Sequence, residues 1–135
     1  MLTKVNGEDK IMKEFKKIPE AEFEVMMCLW KADKPLKASE VVQELETTKG
    51  WTRSTINVLL ARLEERSYVV VTRKGNIKSY APMISFDEYQ ANETNFFMDK
   101  LHHNSVTSLF VTLVKTKKLK SEDIDELEEL LRKMR

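Results

Sequence analysis

Ile56, Leu59, Leu60 and Leu63 repeat at the i, i+3, i+4, i+7 spacing of one helix face, and directly after them the period changes. Tyr68-Val-Val-Val-Thr-Arg73 and Ile77-Lys-Ser-Tyr-Ala81 are β-rich runs separated by Lys74-Gly75-Asn76, which reads as a hairpin with a basic, Gly-containing tip. A helical period cannot be laid down as a strand, so this stretch must run helix, tight turn, hairpin. The helix, spanning Trp51 to Ser67, opens with Thr52, Arg53, Ser54 and Thr55, small or basic groups at its positive dipole end.

Two shorter helices precede it. Ile18-Pro19-Glu20 starts the first, with Pro at the first helical position and acids in the first turn. Phe23, Met26, Met27 and Trp30 are read as its apolar stripe, and Asp33-Lys34-Pro35 ends it, because the residue before Pro is pushed out of the α region. The second runs from about Ala38 to Thr47 with Val41, Val42 and Leu45 inward. Three short helices with tight connections form a helix-turn-helix core, and the Val-rich hairpin tilts the expectation to a winged helix. The fold class expected is mainly α with a small β-hairpin.

Residues 1–17 carry charge without periodicity and are read as a flexible N-terminal arm, residues 18–82 as the winged-helix domain, and 83–135 as a helical domain. In the last of these, Ser85-Phe-Asp-Glu88 has capping-box spacing and opens a helix reaching about His102. Val106, Leu109, Phe110 and Leu113 stripe the next helix, and Ile124, Leu127, Leu131 and Met134 stripe the last, capped by Ser121 with acids behind it. So short a segment buries these stripes poorly against itself. A second copy buries them better, so Val106, Leu109, Phe110, Leu113, Ile124, Leu127 and Leu131 are the expected homodimer contacts.

Charge is distributed unevenly along a chain whose net charge is only +1. Residues 49–82 hold seven basic and two acidic side chains, whereas 1–48 and 83–135 each hold eight and ten. The basic excess sits on the third helix and hairpin, where a phosphate backbone would be met; the competing reading is a solvated basic face. Cys28 is the lone cysteine, so an internal disulfide and a cysteine-cluster metal site are excluded. No apolar run is long enough to span a bilayer and the N-terminus lacks a signal-peptide core, so a cytoplasmic protein is expected. A Gly-rich phosphate loop and a Cys/His nucleophile pair are both missing, so no enzyme, catalytic residue, cofactor or metal is expected. Adjacent His102 and His103 point about 100° apart on a helix and are poor partners for one ion.

On a DNA-reading helix, Asn57 can pair with adenine N6 and N7, and Thr55 can meet a base edge or a thymine methyl. Thr52 and Ser54 suit capping or phosphate, Arg53 suits phosphate or guanine, and Arg62 suits phosphate or pairing with Glu65. Arg73, Lys74 and Lys78 would flank the minor groove or neighbouring phosphates. Trp30 and Trp51 are expected in the core. The alternative use of the same fold is a protein-interaction module without specific DNA binding.

Ala21-Glu-Phe-Glu-Val-Met26 with Leu29-Trp30, Ala38-Ser-Glu-Val41, and Trp51-Thr-x-x-Thr55 with Leu59-Leu60-x-Arg62-Leu63 resemble the penicillinase-repressor family (BlaI/MecI/CopY). Ser108-Leu109 through Leu119-x-Ser121-x-Asp123-Ile124-x-Glu126-Leu127 resembles that family's dimerisation region. The resemblance implies a dimeric winged-helix repressor on a double-stranded operator with dyad symmetry, controlling β-lactam resistance genes and released through a membrane sensor-protease pathway. The family's copper branch needs paired cysteines, which this chain lacks. The positions matching the family's cleaved Asn-Phe bond read Thr112-Leu113. Arg53 and Ser54 stand where the family usually has Pro and Lys, Asn57 stands at an often basic position, and Ser67 replaces a turn Gly.

Overall fold

The computed structural model describes residues 17–135, so the expected arm at 1–17 lies outside the described residues except for Lys17. Helix α1 (Glu20–Ala32) follows Pro19, which is the N-cap at φ −56° rather than the first helical residue. Glu20 and Glu22 sit in its first turn, and Asp33 ends it in the left-handed region at φ 58°. Its inward face is Val25, Met26, Cys28 and Leu29, which shares Met26 with the expected stripe but replaces Met27. Met27 is 38% exposed, while Phe23 and Trp30 are half-buried at the core's rim. A continuous apolar run from Val25 to Trp30 carries no phase of its own, and packing chooses the face.

A two-residue strand β1 (Leu36–Lys37), not expected from the sequence, leads into α2 (Ala38–Lys49). The Glu40 carboxylate accepts the Lys37 N–H at 2.8 Å, and Val41, Val42 and Leu45 are buried. Gly50 closes α2 at φ 68°, its N–H bonded to the Glu46 carbonyl at 3.1 Å. Helix α3 (Arg53–Glu65) buries the expected stripe of Ile56, Leu59, Leu60 and Leu63. Strands β2 (Val69–Lys74) and β3 (Ile77–Pro82) form the hairpin, and β1 adds to β3, so the antiparallel sheet has the order β1-β3-β2. Gly75 takes φ 65° in the two-residue loop, a position where a side chain is strained. This is the winged helix-turn-helix order.

Helix α4 (Phe86–His102) opens with the expected capping box: the Ser85 N–H donates to Glu88 at 3.2 Å and the Glu88 N–H donates to the Ser85 hydroxyl at 3.1 Å. Its first turns belong to the core, because Ile84 and Tyr89 are 1% and 5% exposed and Trp30 Nε1 donates to the Ile84 carbonyl at 2.9 Å. The chain divides into two compact units, one ending at Asn92 and one spanning Glu93–Arg135. The second unit holds the rest of α4 with α5 (Val106–Lys115) and α6 (Ser121–Met134). Ser105 caps α5 by accepting the Ser108 N–H at 3.0 Å. At α6 the expected cap moves: Asp123 accepts the Lys120 N–H at 2.9 Å, and Ser121 is the first helical residue.

Candidate nucleic-acid interface

The third helix is held at both ends. At its start the Thr52 hydroxyl accepts the Thr55 N–H at 3.2 Å and donates to the Thr55 hydroxyl at 3.1 Å. That cap uses both threonine side chains locally and leaves the Arg53 and Ser54 amides exposed at the positive end of the dipole, a ready place for a phosphate. At its end Arg66 is followed by Ser67 at φ 64°. The Ser67 N–H bonds to Glu64 and the Tyr68 N–H to Leu63, each at 3.0 Å, so the helix closes in a Schellman motif with a serine where glycine is usual. Tyr68 and Leu63 are both buried, the apolar contact that accompanies this motif.

Glu22 is 2% exposed and is paired with Arg66 at 2.5 Å, a link between α1 and the C-terminal end of α3 across 44 residues of sequence. Lys49 is paired with Glu24 at 3.3 Å. Two of the seven cations between residues 49 and 82 are thereby neutralised within the fold. Arg53, Arg62, Arg73, Lys74 and Lys78 make no ion pair among the described residues, and Arg62 does not reach Glu65.

The hairpin register decides how the wing cations group. Arg73 pairs directly with Lys78, and Lys74 with Ile77, so Arg73 and Lys78 share one face while Lys74 lies on the other. Like charges directly opposite on a strand pair destabilise it. Arg73 is exposed and Lys78 half-buried, and neither forms an ion pair with a described carboxylate. Beneath them Tyr80 is buried, and burial followed by the Glu64 charge raises its phenol above the ordinary value.

On α3 itself, Ser54, Thr55, Asn57 and Arg62 are all exposed. At about 100° per residue, Ser54, Val58 and Ala61 point within about 30° of the direction opposite the buried stripe, with Asn57 and Arg62 to either side. Val58, 47% exposed, was not among the expected contacts, although its place one turn beyond Ser54 marks it as outward. Trp51 and Trp30 pack against the core, as expected.

In the second unit the expected self-contacts are at most partly covered. Neither α5 nor α6 has a buried residue. Val106 is 60% exposed, Ile124 44% and Leu131 56%, while Leu109, Phe110, Leu113 and Leu127 are half-buried. Thr112 lies inside α5, its hydroxyl donating to the Ser108 carbonyl at 3.1 Å and its carbonyl accepting the Thr116 N–H at 2.9 Å. His102 is 7% exposed, 2.8 Å from the Ser108 hydroxyl through Nδ1 and edge-on to Phe97, whereas His103 is exposed. Among the described residues no three His, Cys, Asp or Glu side chains are grouped to hold a metal ion, and no helix is long and apolar enough to cross a membrane.

A family model described as penicillinase repressor matches residues 18–133. The penicillinase repressor of Bacillus licheniformis is 28% identical over 120 residues, covering 89% of this chain and 93% of that protein. The methicillin resistance regulatory protein MecI of Staphylococcus aureus (strain N315) is 26% identical over 116 residues, covering 86% and 94%. Among solved structures, the DNA binding domain of the repressor BlaI superposes with a TM-score of 0.51 at 33% identity, over 58% of this chain and 94% of that one.

Proposed function

Because the chain belongs to the penicillinase repressor family, we propose that it is a non-enzymatic transcriptional repressor that binds operator DNA through α3 and the β2–β3 wing. The observation that carries this reading is the Arg73–Lys78 cross-strand pair, two cations opposed with neither in an ion pair among the described residues. A phosphate is the partner that turns this repulsion into attraction. Arg53 and Ser54 hold the DNA backbone at the start of α3, which Thr52 caps, while Asn57 faces the base edges and Arg62 a flanking phosphate. The Thr55 hydroxyl, engaged by Thr52, serves the cap first.

The active species is a homodimer. Its support is the apolar surface of α5 and α6, where Val106 is exposed on α5 and Ile124, Leu131 and Met134 are exposed at helical spacings on α6. A two-fold pair of reading heads asks for an operator with dyad symmetry. Each head alone holds only a half-site, so whatever separates the copies releases the DNA. The names of the relatives point to antibiotic-resistance genes as the regulated class, and a repressor that binds operator DNA acts in the cytoplasm. Release through a membrane sensor pathway that cleaves at Thr112-Leu113 requires α5 to unwind there first, because Thr112 is hydrogen-bonded within the helix.

The test is an anisotropy titration of the full chain against the DNA upstream of its own gene, at two salt concentrations, with Asn57→Ala alongside. Nanomolar, sequence-dependent binding that weakens with salt and with the substitution is expected. Weak binding, equal on every duplex and indifferent to Asn57, refutes the reading and leaves a protein-interaction module. Sedimentation of the full chain against Leu131→Asp reads the dimer separately: a dimer that the substitution converts to monomer is expected.

A further inference from the structure

Helix α3 places one apolar group where a DNA-reading helix does its reading. Val58 lies in the second turn, 47% exposed, one turn beyond Ser54 and one before Ala61, with Asn57 and Arg62 to the sides. The core makes no use of it: the inward stripe is complete without it. Local physics offers no reason for it either, since a β-branched residue on a helix surface is a poorer helix former than Ala, Lys or Glu. The outward strip of α3 runs Ser54, Val58, Ala61 and, at the helix's last position, Glu65, so its first two turns are short and methyl-bearing and a carboxylate stands only at the far end. In the major groove only one base edge carries a methyl group, the C5-methyl of thymine.

Resting on the repressor reading, we propose that Val58 is a specificity-determining residue that packs against a thymine 5-methyl, so each half-site carries a thymine beneath the second turn of α3. The short side chains of Ser54 and Ala61 let the helix settle deeply enough for Val58 to touch the base rather than stand off it. Asn57 and Arg62 supply the polar contacts around this apolar one. Val58 fixes which pyrimidine is accepted, and it does so without a hydrogen bond.

Uracil replaces thymine with loss of the methyl group alone, which makes the contact separable from every other. The tightest duplex that the full chain selects from a randomised pool is resynthesised with each thymine in turn changed to uracil. The expected result is a loss of about fourfold at one thymine per half-site, the worth of one buried methyl group, with little change elsewhere. Val58→Ala binds the thymine duplex more weakly and no longer distinguishes uracil at that position; thermal unfolding confirms that this exposed substitution leaves the fold intact. Wild-type binding indifferent to uracil at every position, or a Val58→Ala protein that keeps the same preference, overturns the assignment while DNA binding stands. A pool that yields no preferred duplex overturns the repressor reading as well.

Discussion

Replacing Arg73 and Lys78 together by glutamine separates the two consequences of their pairing. If each cation meets one phosphate, the double variant loses two phosphate contacts per bound protomer, and the slope of log K against log salt becomes shallower by about 1.8. Between 50 and 200 mM salt this amounts to about twelvefold less affinity lost per protomer than in the wild type. Binding at the lower salt is weaker throughout. Folding moves the other way: relief of a like-charged cross-strand pair contributes roughly 0.2–1 kcal/mol to stability. The assays are anisotropy across a salt series and urea unfolding of both proteins without DNA. Lys49→Gln is the control, because Lys49 is paired with Glu24 at 3.3 Å and its removal should leave the slope unchanged. An unaltered slope in the double variant, or a loss of more than about 1 kcal/mol of stability, would show that the pair serves the fold rather than the phosphate backbone.

Arg66→Met leaves the 2%-exposed Glu22 carboxylate without its partner and is expected to lose about 3 kcal/mol in urea unfolding, the low end of the range because water reaches Arg66. Adding Glu22→Leu should recover most of that loss, and a double variant as unstable as the single one contradicts the account. Ser67→Gly removes the strain of φ 64° and should gain about 0.5 kcal/mol, whereas Ser67→Val should lose about 1 kcal/mol by the same measurement. Burial, then the nearby Glu44 charge, lifts the Cys28 thiol from 9.0 to about 11. The unfolded thiol therefore ionises first, so the stability Cys28 contributes is complete below pH 9 and lost as pH climbs towards 11. On the order of 2 kcal/mol should separate wild type from Cys28→Ala in this pH dependence, and parallel curves would refute it.

What the sequence disclosed followed from period. The α3 stripe and the hairpin were legible because apolar spacing of 3.6 gives way to strand composition around a Gly-Asn turn, and the α4 capping box because its two residues lie three apart. The face of α1 is not legible: with Val25 to Trp30 all apolar, any phase fits, and the expected stripe includes Met27, which the fold leaves exposed. Strand β1 is two residues long and has no period at all. The interface was read in its residue types but not in its grouping. Only the register sets Arg73 against Lys78 and Lys74 apart from both, and only the tertiary fold shows that Arg66 and Lys49 are already matched by carboxylates. Val58 is outward by the helix period alone, nearly opposite the buried stripe, and only burial adds that nothing in the described fold covers it.

The strand order β1-β3-β2 puts β2 on the outside, with no described strand along its far side. That border begins Val69-Val70-Val71, a β-branched trio suited to accept a strand from another molecule, and ends in Arg73 and Lys74. Cations on an open border repel a second copy arriving the same way, so the wing guards its own solubility. Stripping the tip of charge exposes the molecule to sheet-to-sheet stacking, and a repressor weakened there for operator contact becomes prone to precipitate on storage.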